Sequence, residues 1–227
     1  MDSMHVSIFS SDIPALSSYL SSGRNPDELD IFGETPLCLA AKYGHIDTIK
    51  LLVKFGASLE KKFNNSSPLY IASTRGRLDI VKFLLESGAS PNQKNENGET
   101  PLHIAADNGH VDVVKILLEF DASPNEKDDR GNNPLHLACS EYGNINIIKA
   151  LLTKNNDLCR EKNNIGKTPL HEAALNGYLD AVKILLEYGA QVDEKDGDDG
   201  DTPLELAKLT NRTEVVEYLS SYQELPL

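Results

Sequence analysis

Six copies of one short phrase, carried at near-constant spacing through the chain, constrain its folding more than any other feature. The cleanest are Thr35-Pro36-Leu37, Thr100-Pro101-Leu102-His103, Thr168-Pro169-Leu170-His171 and Thr202-Pro203-Leu204; Ser67-Pro68-Leu69 and Asn133-Pro134-Leu135-His136 fill the gaps. Successive marker prolines lie 32 to 35 residues apart. A period near 33 residues predicts a stacked array of supersecondary units, each touching only its neighbours. The 227 residues are therefore expected to form one continuous domain, although their number alone would allow two.

The third copy shows what one unit contains. Thr100 suits a helix cap, and Pro101 suits a first helical turn, where its missing N–H has no partner to lose. Leu102, Ala105 and Ala106 form a narrow apolar stripe, and Gly109 ends the helix by accepting a left-handed conformation. A second helix follows, with Val111, Val114, Ile116, Leu117 and Leu118 on a wider apolar face and Asp112 near its positive end. Neither helix can bury its face alone.

The phrase Gly-x-Thr-Pro-Leu-His-x-Ala-Ala, then Gly-His, Leu-Leu and Gly-Ala, resembles the ankyrin-repeat family over essentially the whole chain. The resemblance implies an all-α ankyrin-repeat solenoid of about seven helix-turn-helix units with hairpin-like turns and degenerate terminal caps. The expected domain covers 1–221: a capping repeat at 1–29, full repeats at 30–62, 63–94, 95–127, 128–162 and 163–196, and a second cap at 197–221. Residues 222–227 are expected to form a loose tail. Ile13, Leu16, Leu20 and Gly23 reproduce Ile46, Ile49, Val53 and Gly56 at a constant offset, which identifies the first cap. The second repeat is one residue short, so its turn at Lys62-Phe63-Asn64 should be tight or irregular. The fourth has an extra residue near Ser140-Glu141-Tyr142 and Asn155-Asn156 in place of Gly-Ala.

A net charge of −13 argues against nucleic acid and anionic membranes, which are bound through clustered lysine and arginine. Cys38, Cys139 and Cys159 form no disulfide framework, and no stretch is long enough to span a bilayer. A monomer in the cytoplasm, the nucleus or both is expected.

Several fragments approach catalytic or ligand motifs and fail on spacing. Gly166-Lys167-Thr168 ends like a phosphate loop, but the required upstream glycine is Glu161. His171-Glu172 begins like a zinc-protease helix, yet Leu175 replaces the second histidine. The family implies that His103, His136 and His171 occupy one structural slot, hydrogen-bonding between adjacent hairpins. Asp193, Glu194, Asp196, Asp198, Asp199 and Asp201, against Lys195 alone, do not fit a calcium loop. They suggest either a solvated hairpin tip or an acidic landing patch for a basic partner segment. No enzyme activity, cofactor or metal is expected.

The resemblance also implies a partner on the concave side, made by hairpin tips and the exposed ends of the first helices. That register selects Ile31, Phe32, Lys42 and Tyr43, then Phe63 and Arg75, then Glu99, Asp107 and Asn108. Farther along it selects Arg130, Glu141 and Tyr142, then Ile165 and Leu175. Phe32, Tyr43, Phe63 and Arg75 stand out, because aromatic and arginine anchors often dominate binding energy. The expected function is a noncatalytic adaptor or scaffold holding a protein or peptide. Two alternatives are a proteasome assembly chaperone similar to gankyrin in repeat number and length, and a pathogen effector on the same scaffold.

Overall fold

The computed structural model describes residues 4–197 and 199–223. Its helices come in antiparallel pairs: α1 (Met4–Phe9) with α2 (Ile13–Ser21), α3 (Pro36–Tyr43) with α4 (Ile46–Lys54), α5 (Pro68–Thr74) with α6 (Leu78–Glu86), and α7 (Pro101–Asp107) with α8 (Val111–Glu119). The series continues with α9 (Pro134–Ser140) and α10 (Ile145–Lys154), α11 (Pro169–Asn176) and α12 (Leu179–Glu187), and α13 (Pro203–Leu209) and α14 (Thr213–Gln223). First helices pack on first helices of the next pair and second on second, giving two helical layers. The fold is an all-α repeat solenoid.

The repeated phrase builds each unit from the same interactions. Thr35, Ser67, Thr100 and Thr202 cap their helices through the side-chain oxygen, and every marker proline sits in the first turn. The leucine after each proline is buried, from Leu37 to Leu204. Burying each such side chain is worth roughly 2 kcal/mol. Small residues such as Ala72, Ala105, Ala138 and Ala173 are fully covered, so neighbouring first helices can approach closely.

Adjacent units are tied together by a set of bonds whose donors repeat with the sequence. The Nε2 atoms of His103, His136 and His171 lie 3.0, 3.0 and 3.2 Å from the carbonyls of Asn132, Lys167 and Asp201 in the following hairpins. Burial lowers the proton affinity of all three rings, His136 to about 4. They are neutral at neutral pH and act as inter-repeat ties, as the family implies. A second ladder comes from Lys62, Lys94, Lys127 and Lys162, each of which donates its ammonium to the carbonyl of Lys94, Lys127, Lys162 and Lys195 respectively. A third joins hairpin tips through the backbone, with Asp129, Asn164 and Gly197 donating to the carbonyls of Asn97, Arg130 and Ile165 at 2.9 Å.

Three local features depart from the regular unit. The second hairpin closes as a two-residue turn, with Phe63 and Ser66 exchanging both backbone hydrogen bonds and Asn64 and Asn65 left-handed, which is the tight turn expected of a unit lacking one residue. In the fourth unit a 3₁₀ helix, Asn156–Arg160, replaces the Gly-Ala corner and buries Leu158 and Cys159. At the far end α14 continues through Tyr222 to Gln223. Tyr222 packs against the core, its ring 6.2 Å from that of Tyr218. Helix therefore replaces the loose tail expected at positions 222 and 223, while 224–227 lie outside the described residues.

Candidate partner-binding face

Two hollows lie along the side formed by the hairpins and the first helices. The larger, about 460 Å³, spans the hairpins before α7 and α9 and the ends of α7, α9 and α11, and includes Glu99, Asp107, Asp129, Arg130, Glu141 and Glu172. Asp107 is the last residue of α7, Glu141 caps the end of α9, and Glu172 lies in the first turn of α11. Among the described residues, the carboxylates of these three have no hydrogen bond or ion pair. Burial, with Glu141 and Glu99 nearby, raises the Asp107 carboxyl to about 6. Burial also raises Glu172, partly offset by Lys167. The pocket thus holds more carboxylates than cations, with Arg130 in its lining and Lys167 partly offsetting Glu172.

Not every acid there is free to bind. Asp128 accepts from the Arg130 and Asn132 backbone and from the Asn132 amide, which shapes the hairpin. Glu99 accepts from Tyr70 Oη at 2.8 Å and from Asn95 Nδ2 at 2.7 Å.

The smaller hollow, about 260 Å³, lies beside the shortened second hairpin, and both Phe63 and Arg75 line it with Lys42, Glu34 and Ile71. Lys42 Nζ is 3.5 Å from Glu34 Oε1 and sits 5.8 Å and 6.0 Å from the ring centroids of Tyr43 and Phe63. Tyr43 also meets Phe9 edge-on at 5.1 Å. Three of the four anchors expected from the sequence are thus joined through Lys42 and the hollow. Phe32 stands apart: with Ile31 it forms the tip of the first hairpin, 77% and 93% exposed, and neither tip side chain borders the hollow.

The remaining expected positions fall at different places. Asn108 is exposed, and its amide donates to the Ile104 carbonyl. Tyr142 lies with Ile145 and Tyr178 around a separate hollow of about 400 Å³ on the turn between α9 and α10. Ile165 is an exposed tip residue, and Leu175 is half-buried, its carbonyl accepting from Thr210 and Arg212.

The run of acids near the last hairpin is not one patch. Asp196, expected there as a surface charge, is buried and its Oδ1 accepts from the Gly200 and Asp201 backbone at 3.0 Å, so it builds the turn. Glu194 is paired with Lys162 at 2.6 Å. Asp193 and Asp199 are exposed, Asp201 is partly so, and Asp198 lies outside the described residues. Carboxylates without partners among the described residues also line the central pocket.

Sequence reasoning placed Glu99 and Glu141 on this face but passed over Glu172 and Phe9. Glu172 occupies the slot three residues after the marker proline, where Leu39, Ile71, Ile104 and Leu137 sit. A charge in an otherwise apolar register is the signal that could have found it. Phe9 lies in the degenerate first unit, which lacks the marker phrase.

Among the described residues, no helix is long and apolar enough to cross a membrane, and no group of three or more potential ligands is placed to hold a metal ion.

Comparison with known proteins agrees with this architecture. The model for ankyrin repeats (3 copies) matches residues 4–95, 87–162 and 141–225. Similar segments occur in tyrosine-protein kinase HTK16 of Hydra vulgaris (37% identity over 82 residues, 36% of this chain and 11% of the kinase) and in protein phosphatase 1 regulatory subunit 27 of Mus musculus (41% over 56 residues, 25% and 36%). A third lies in the putative ankyrin repeat protein FPV031 of Fowlpox virus (41% over 64 residues, 26% and 19%). Each match thus spans well under half of the relative's own length. The periodic phrase, the paired helices and the matched family model together establish that the chain belongs to the ankyrin-repeat family.

Proposed function

We propose that this protein is a noncatalytic interaction module that holds an extended segment of a partner protein along the face described above, with a lysine or arginine of that segment in the central pocket. The observation that carries this reading is the convergence of Asp107, Glu141 and Glu172, without partners, on a hollow large enough for a side chain. Burying these carboxylates costs free energy, to which Glu141 and Glu99 add at Asp107; an incoming cation relieves that cost. Ankyrin repeats generally mediate protein–protein interaction, which supports the broader half of the reading. The buried, neutral histidines are committed to joining hairpins, and this favours a scaffold over an acid–base site.

The test is to select random displayed peptides on the full chain at low salt. An enriched consensus with a lysine or arginine, lost when the selection is repeated on Asp107→Asn/Glu172→Gln, is the expected result. A consensus with no cation, or one indifferent to those changes, contradicts it.

A further inference from the structure

The two hollows differ in charge although they are built from the same register positions. Lys42 and Asp107 each stand six residues after a marker proline, and Arg75 and Glu141 each stand seven after one. The face therefore carries cations at α3 and α5 and carboxylates at α7 and α9. Opposite signs in equal slots give the groove a polarity along the stack.

The smaller hollow has three features that define what would fill it. Phe63 and Ile71, both half-buried, supply apolar surface. The Arg75 guanidinium is exposed and has no hydrogen bond or ion pair among the described residues. Glu34 is 4% exposed, and its carboxylate forms an ion pair with Lys42 at 3.5 Å. Because Lys42 balances Glu34, Arg75 leaves this hollow with a net positive charge inside a chain of −13.

We infer that the hollow beside the second hairpin is a specificity subsite for a hydrophobic residue adjacent to an aspartate or glutamate in the same extended partner segment. The hydrophobic side chain covers Phe63 and Ile71, and the carboxylate pairs with Arg75, while Glu34 stays buried behind Lys42. This rests on the reading of the face as partner-binding, and it adds a direction: the acidic, apolar end of the segment lies over α3 and α5, and the basic end over α7 to α11. Charge complementarity favours this occupant over a second basic residue, which Arg75 would repel.

The experiment uses a peptide enriched on the full chain and the same peptide with its acidic residue changed to the amide. Wild type should bind the amide form about tenfold more weakly, a coupling of one hydrogen-bonded charge pair. Arg75→Gln should bind the acidic peptide about tenfold more weakly as well, with no further loss for the amide form. Arg75 is exposed, so the variant is expected to fold, and an unchanged melting temperature verifies this. A consensus that keeps the basic residue but has no acidic one overturns this subsite and leaves the central pocket standing. Equal losses for the amide peptide on wild type and Arg75→Gln overturn it too. A consensus with an acidic residue but no basic one overturns the central reading instead.

Discussion

Asn133 fills the capping position that threonine or serine holds at 35, 67, 100, 168 and 202. At Thr100 the hydroxyl can donate to the histidine Nδ1, 2.8 Å away. At Asn133 a carbonyl-type oxygen faces the His136 Nδ1 at the same distance, and the amide Nδ2 is buried without a partner. Asn133→Thr restores the donor and removes the orphaned amide, and should raise stability by about 1 kcal/mol in urea unfolding; a loss would show that asparagine is the better cap there. Asp107 makes the opposite kind of strain, one of charge. Its folded carboxyl, near 6, lies above the ordinary value of 3.8, so the folded state holds the proton more tightly than the unfolded one. Stability therefore falls as pH rises through that window. The shift corresponds to roughly 3 kcal/mol unscreened, and half-exposure to water reduces it to about 1 kcal/mol. Asp107→Asn should stabilise the protein by that amount near neutral pH and lose its advantage near pH 4 to 5. The odd cap was visible in the sequence, but the orientation of its amide was not, and neither was the company of Asp107, which includes a side chain from the next unit.

At the scale of elements, the hairpins carry the contacts that hold one unit to the next. Gly33 and Gly166 have the same left-handed backbone, at φ 79° and 73°. A Cβ on Gly33 would meet nothing, whereas one on Gly166 would overlap the Gly197 backbone, which donates to the Ile165 carbonyl. Gly33→Ala should cost about 1 kcal/mol, the conformational penalty alone, and Gly166→Ala clearly more, because backbone cannot yield as a side-chain tip can. Equal costs would mean that the hairpin tips are not in close register. Helix starts were legible because threonine, proline and leucine encode cap, first turn and core within three residues. The 3₁₀ helix at Asn156–Arg160 was not, because the sequence shows only that Gly-Ala is missing, while burial of Leu158 and Cys159 decides what replaces it. The lysine ladder was also hidden: its acceptors are backbone carbonyls, which leave no trace in residue identity.

For the whole molecule, the repeat fixes a register, and deviations within that register distribute charge along one face. The sequence made the repeat register readable. It left the dense run Asp193 to Asp201 open between a solvated tip and a landing patch; the structure shows Asp196 building a turn and Glu194 pairing with Lys162. The central pocket draws Asp107, Glu141 and Glu172 from three different units, so no local window of sequence displays it. In the proposed function these carboxylates receive a cation from a partner. It is tested most directly by the affinity of one selected, lysine- or arginine-containing peptide for the full chain and for Asp107→Asn/Glu172→Gln, at low and high salt. The expected result is a loss of about tenfold or more in the variant at low salt, with the gap narrowing as salt screens the pocket; equal affinities at low salt would contradict a cation-receiving pocket.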